Sequence, residues 1–384
     1  MTKIPKIAMI PSAYKASKVY SVLPTNGDAD LDFARAGKAT RVNEIGLIEE
    51  VASNVPRLDY SDGGCPVQLL EPERRNLYTN SEPTANEGAA NGVSYVNFNW
   101  SLGFTNAAEF TSVGNFRYGG TVSENTIYTL SFFIIMDDLS QPIVGANSGE
   151  GDFSVIIGGT IMTSGFEVKN FGNNIYRVCV TGTSGTNTSN NGITKYNSQS
   201  SKGFKVVGLQ LEQGSYATSY IPTSGSIATR DADVCNNGGN EQVFNDSEGV
   251  LYAEMSAFSE TNLFEAISIN NNSTSDRIFI GYFSDDLYIT ILDGGQAKYD
   301  VNTPINVKQN NKIAVKYKAQ DFSFYLNGFE INASAGINGG TTPSGLSELS
   351  FNRGDGVEPF YGNIKQIKYF DKALTDQELI ALTS

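Results

Sequence analysis

Residues Ile127 to Met136 read IYTLSFFIIM, a run that leaves the backbone few options. β-branched and aromatic side chains crowd a helical turn but pack well on a pleated strand. Similar runs recur at 153–157, 166–169, 175–181 and 204–211, and again at 250–258, 266–269, 277–283, 287–292, 312–317 and 322–326. Gly, Asn and Ser bound them, as strand ends require. Asn327-Gly328 sits between two such runs and predicts a two-residue hairpin. Charged residues make up only 18% of the chain, below the usual quarter or so, and Gly, Ser, Thr and Asn fill the difference. The pattern predicts an all-β protein: an extended N-terminal segment followed by two domains of β-sandwich or jelly-roll form.

The runs also divide the chain. Residues 1–90 hold turn signals such as Pro24-Thr25-Asn26-Gly27 and Asp62-Gly63-Gly64 but only short apolar pieces. They read as an extended attachment or oligomerisation segment that packs on its own chain or on neighbouring chains. Residues 91–222 form a first sandwich, in which 182–203 is a long polar loop with almost nothing to bury. Residues 223–240 read as a linker, and 241–384 as a second sandwich. Near its end, Thr375-Asp376-Gln377-Glu378 has the form of a capping box and predicts a short terminal helix after a strand at 362–370.

Several chemistries are excluded early. There is no histidine, which removes Ser-His-Asp and Cys-His nucleophile systems and imidazole metal ligands. The formal net charge of -14 repels phosphate backbones, so nucleic acid is not an expected partner. No apolar run approaches the roughly 20 residues of a membrane helix, and the opening MTKIPKIAMIPSAYKAS makes a poor signal peptide. Cys65, Cys179 and Cys235 are too few and too scattered for a disulfide framework. Paired acids occur at Glu49-Glu50, Asp137-Asp138 and Asp285-Asp286, but neighbours on a strand point to opposite faces. They are expected to be solvated turns, and the chain is expected not to be an enzyme.

Aromatic residues beside turns are the candidate carbohydrate contacts: Trp100, Tyr118, Tyr196, Tyr299 and Tyr361. In the N-terminal segment, Tyr20, Leu47 and Ile48 are apolar enough to be buried by a neighbouring chain, and Arg35 and Arg41 are suited to pair with acids across a subunit boundary. Asp28, Asp30 and Asp32 imitate the start of a calcium loop, yet Phe33 and Ala39 stand where an EF-hand needs Gly and Glu. Arg353-Gly354-Asp355 reads as a chance tripeptide.

Two phrases carry a resemblance. SKVYSVLPTNGDADLDFARAGKATRVNEIGLIEEV, from Ser17 to Val51, and GLQLEQGSYATSYIPTSGSIATRDADVC, from Gly208 to Cys235, resemble phrases of tailed-bacteriophage structural proteins, especially fibres and appendages. Ala39-Thr40-Arg41 and Ala228-Thr229-Arg230 repeat one triplet on either side of the central block. The central block resembles jelly-roll carbohydrate-binding modules, and the strand-then-helix ending PFYGNIKQIKYFDKALTDQELIALTS resembles laminin-G-like and concanavalin-like lectin sandwiches. The resemblance implies a virion protein made in a host cytoplasm, a homotrimer bound to capsid, tail or fibre-anchor proteins and displaying modules toward host cell-surface glycan. Laminin-G-like domains hold calcium at a loop rim, which makes Asp285, Asp286 and Asp293 the candidates for a calcium site; no other cofactor is expected. Two alternatives stay open: a decoration or collar protein that binds only its virion neighbours, and a secreted bacterial glycan-active enzyme or its carbohydrate-binding accessory.

Overall fold

The computed structural model describes residues 3–15, 17–84, 92–117, 120–258, 263–331 and 340–384. The chain is nearly all β and forms two compact units. One comprises Met1–Gly37, Val51–Pro72 and Ala232–Ser384; the other comprises Lys38–Glu50 and Glu73–Asp231. No helix of the described residues is long and apolar enough to cross a membrane.

The first unit is a sandwich of two large sheets. Its back sheet runs in the order Phe329–Glu330, Ser323–Leu326, Asn311–Lys318, Glu248–Ala257, Gly362–Phe370, Val67–Leu70 and Arg57–Asp59, with Ile7–Met9 also paired to Gly362–Phe370. Its front sheet runs Gln296–Pro304, Asp286–Asp293, Arg277–Phe283, Glu265–Asn270 and Glu348–Ser350. Between them lies a core of Leu251, Ala253, Met255, Ile267, Ile269, Ile278, Ile280, Leu287, Ile289, Ile313, Val315, Ile364 and Ile367. Asn327 and Gly328 have φ of 49° and 90°, so both central residues of that hairpin turn are left-handed, as a type I′ turn requires. The helix Asp376–Thr383 carries both halves of the capping box, with Glu378 N–H donating to the Thr375 side chain and Thr375 N–H to the Glu378 carboxylate. Leu379 packs on the outer side of the back sheet with Val250, Tyr252 and Tyr325.

The second unit has a sheet ordered Ser94–Asn97, Asn106–Phe110, Phe204–Gln213, Ile127–Met136, Tyr176–Thr183 and Phe166–Asn170, and a smaller one ordered Gly114–Phe116, Gly192–Lys195, Ser154–Ile157 and Thr160–Ile161. Leu130, Phe132, Ile134, Val178, Val206 and Leu211 project from the larger sheet onto Phe153, Val155, Ile157 and Ile193.

Three expectations about organisation need correction. Residues 1–90 are not a separate arm. Ile7, Met9, Val19, Leu31, Phe33 and Leu70 lie in the core of the first unit, while Tyr78 is buried in the second. Strands as short as these gain stability only as parts of a larger sheet, and here the partner comes from the other end of the chain. The polar stretch 182–203 contains the strand Gly192–Lys195, all of it buried. Lys195 reaches the carbonyls of Asp152 at 3.0 Å and Ser200 at 2.7 Å, which offsets the cost of burying its ammonium. The presumed linker 223–240 holds the strands Ala228–Arg230 and Val234–Asn236 and buries Arg230, Asp233 and Cys235.

A buried ion network joins the segments on which the first unit breaks off. Arg35 Nη1 meets Asp233 Oδ1 at 3.0 Å, and Arg57 Nη1 meets Glu71 Oε2 at 2.5 Å. Arg57 Nη2 also pairs with Asp233 Oδ2, and the Glu71 N–H donates to the same oxygen at 2.8 Å. Arg35 donates further to the carbonyls of Gly37 at 3.0 Å and Ala52 at 2.7 Å. Two guanidinium groups and two carboxylates thus neutralise one another out of reach of water, which is the condition for ionised groups to remain buried.

Candidate functional site

The front sheet of the first unit presents two apolar faces, and only one is used by the core. Along Arg277–Phe283, Ile278, Ile280 and Tyr282 point inward, so Arg277, Phe279, Gly281 and Phe283 point away from the core. Along Asp286–Asp293 the inward set is Leu287, Ile289 and Ile291, which leaves Asp286, Tyr288 and Thr290 on the outer face. Register places Ala266, Gly281, Tyr288 and Asn302 in one row across four strands, and Ser268, Phe279, Thr290 and Asp300 in the next.

Phe264 gathers the outer aromatics. Its ring centroid lies 4.9 Å from Phe283, 5.2 Å from Tyr288 and 5.7 Å from Phe279, mostly edge to face. Gly281 makes this possible: a Cβ there would come within 2.5 Å of the Phe279 ring. Phe279 is buried beneath the others, while Phe264, Phe283 and Tyr288 remain half-exposed and neighbouring Leu263 is 73% exposed. Contiguous apolar surface on a sheet face marks an interaction site.

Polar groups frame the rings. Thr290 Oγ1 donates to Asp300 Oδ1 at 3.0 Å. The side chains of Asp286 and Asn302 and the Tyr288 hydroxyl make no hydrogen bond among the described residues. Arg277 lies over the Phe279 ring at 5.1 Å and donates to the Arg353 carbonyl at 2.7 Å. A half-exposed aromatic platform edged by open hydrogen-bonding groups suits a ligand with a C–H face and a hydroxyl rim.

Other concavities occur in this unit among the described residues. A groove of about 580 Å³ beside the terminal helix is lined by Phe370, Leu374, Ala381 and Leu382, with Lys3 and Glu378 3.6 Å apart. A polar cleft of about 520 Å³ contains Asp246 and Asp371. Asp246 already accepts from the Gly345 and Leu346 N–H groups, and Asp371 pairs with Lys6 at 3.6 Å. Neither brings aromatic faces together with open polar groups.

The aromatic candidates read from sequence fall elsewhere. Tyr299 is core, 2% exposed and tilted against Phe322, so neither of its faces is available to a sugar. Trp100 is 4% exposed, packs edge-on against Phe98 and donates its indole N–H to the Asn106 carbonyl. Tyr118 lies outside the described residues. Tyr196, in the second unit, and Tyr361, in the first, are half-buried.

The docking candidates are largely turned inward. Arg35 is held in the buried network, and Arg41 pairs with Glu49 across its own hairpin. Both therefore find acids within the chain instead of across a subunit boundary. Ile48 packs on the Trp100–Phe104 cluster, Leu47 is half-buried, and Tyr20 lies under the Lys15 ammonium at 5.0 Å.

The calcium candidates do not converge. Asp286 and Asp293 are the two ends of one strand, which at about 3.4 Å per residue puts them roughly 24 Å apart, with Asp285 beyond the near end. No set of three His, Cys, Asp or Glu residues that could hold a metal ion occurs among the described residues. Three of the paired acids face lysines: Asp137 with Lys205 at 2.8 Å, Asp138 with Lys202 at 3.0 Å and Glu50 with Lys38 at 2.6 Å. Arg353 and Asp355 pair with each other at 2.8 Å.

The strands that carry the aromatic face lie within the stretch of sequence that a family model matches. Residues 253–380 match the Concanavalin A-like lectin/glucanases superfamily. Among solved structures, the Ruminococcus gnavus IT-sialidase CBM40 bound to alpha2,3 sialyllactose is similar at 18% identity, with a TM-score of 0.32; the match covers 38% of this chain and 92% of that one. The NanB sialidase from Streptococcus pneumoniae is similar at 18% identity and a TM-score of 0.31, over 37% of this chain and 25% of its own. The heptameric SAP-like pentraxin from Limulus polyphemus is similar at 13% identity and a TM-score of 0.29, over 36% and 70%. No curated protein matches the chain.

Proposed function

We propose that this chain is a non-catalytic adhesion protein of a tailed-bacteriophage particle, a fibre or surface-appendage subunit whose C-terminal sandwich binds host-surface glycan through the outer face of its front sheet. The observation that carries the reading is the aromatic platform of Phe264, Phe283 and Tyr288 within the lectin-type region. The phrases at Ser17–Val51 and Gly208–Cys235, similar to those of phage appendage proteins, support the virion setting. Homotrimers are common in that setting, and several copies raise a weak single-site affinity by orders of magnitude. No calcium is needed, because binding rests on stacking and on side-chain hydrogen bonds.

The N-terminal strands are built into the first unit, so attachment to the particle falls to exposed loops instead of a detachable arm. The test is a glycan array probed with the assembled protein and with Tyr288→Ala. Binding to some array members, lost in the variant, is expected. A blank array for the intact protein would overturn glycan binding and leave a decoration protein that contacts only virion neighbours. Shortening of a host polysaccharide by the protein, abolished by changing one acid, would overturn the non-catalytic reading.

A further inference from the structure

We infer that the front-sheet face selects an uncharged saccharide and turns away sialylated, uronate-bearing or sulfated ones. The inference rests on the glycan reading above and adds the ligand class. Apart from Arg277 at the Phe279 end, the charged groups that border the platform are carboxylates. Asp286 pairs in register with Phe283 and lies two residues from Tyr288 on the same face; Asp300 pairs with Thr290, which pairs with Phe279. Asp286 is half-exposed and Asp300 exposed, and neither forms an ion pair among the described residues. Asp285 adds a third carboxylate at the adjoining turn.

The nearby cations are engaged. Arg277 is held over Phe279 and on the Arg353 carbonyl, and Lys298 lies 3.9 Å from Asp293. A carboxylate only accepts hydrogen bonds, and sugar hydroxyls donate them. Asn302 and the Tyr288 hydroxyl supply donors on the same row. A neutral oligosaccharide can therefore lay a C–H face on Tyr288 and Phe283 while hydroxyls of one ring donate to Asp286 and those of a neighbouring ring donate to Asp300. An anionic sugar brings a negative charge against uncompensated negative charges, at a separation where repulsion is only partly screened.

The probes are arrayed lactose and α2,3-sialyllactose, together with neutral hexose and N-acetylhexosamine oligomers, all read with intact protein, Tyr288→Ala, and an Asp286→Asn, Asp300→Asn double variant. Neutral glycans should be preferred over sialylated counterparts on the order of tenfold at low salt, with the gap narrowing at 1 M salt. The double variant keeps side-chain size and should narrow the gap at all salt concentrations. Equal or tighter binding of sialyllactose would overturn the ligand class while leaving glycan binding intact. Glycan binding that persists unchanged in Tyr288→Ala would overturn this face as the site. Preference for a lysine-rich peptide over every sugar, lost in the double variant, would replace the saccharide with a cationic protein partner and overturn the inference.

Discussion

Replacing Asp233 with Ala tests the buried ion network of the first unit. Its side chain is fully buried and serves Arg35, Arg57 and the Glu71 N–H together. Removing one partner from a buried pair costs about 3–5 kcal/mol, because the remaining charge stays desolvated. The orphaned Glu71 N–H adds about 1–3 kcal/mol. Part of this is offset: Glu71 still faces Arg57, and the Gly37 and Ala52 carbonyls still hold Arg35. A net loss of about 3–5 kcal/mol is a large share of a typical stability of about 5–15 kcal/mol. With a urea slope of about 2–3 kcal/mol/M, the midpoint should fall by roughly 1–2.5 M. The two units offer separate readouts. Trp100 is the only tryptophan and lies in the second unit, whereas the buried Cys235 thiol reports opening of the first. The thiol-labelling midpoint should move. Adding Arg35→Met should recover part of the loss, because one stranded charge is removed with its partner. A midpoint shift below about 0.3 M for Asp233→Ala, or strict additivity with Arg35→Met, would refute the reasoning.

A fragment of residues 241–384 should be insoluble or poorly folded, because it exposes the edge of Gly362–Phe370 that Ile7–Met9 and Val67–Leu70 cover; circular dichroism and gel filtration of the fragment would check this. Thiol labelling should proceed in order: exposed Cys65 first, then Cys179, whose thiol burial raises to about 11, and Cys235 only on unfolding, its thiol being pushed well above its ordinary value by burial. Burial alone would raise the Glu254 carboxyl, but hydrogen bonds from Gln366 and Asn310 outweigh it and hold the group below its usual value. A depressed carboxyl stabilises the fold above the unfolded value of about 4.3, and that contribution is lost as pH falls through the folded one. Glu254→Gln should therefore flatten the acid limb of the stability curve measured by urea titration between pH 5 and pH 2.

Much of the fold is written in local pattern. Ile127–Met136, Arg277–Phe283 and Gly362–Phe370 are strands over the residues their apolar runs occupy, and Asn327-Gly328 and Thr375–Glu378 form the turn and cap their chemistry requires. Those features depend on neighbours in sequence, and so they can be read there. The N-terminal strands cannot. Ile7–Met9 and Val67–Leu70 are too short to show a period, and their partner strand is contributed by the far end of the chain. Arg35 looks like a surface arginine until Asp233, 198 residues away, is folded against it. Tyr299 and Tyr288 likewise both sit in alternating strands, and their sequence surroundings do not say which faces water. In Arg277–Phe283 the two parities, Ile-Ile-Tyr and Phe-Gly-Phe, are both apolar, so alternation is visible but its direction is not. Only the back sheet, by covering the isoleucines, turns the phenylalanines and Tyr288 outward and so creates the platform.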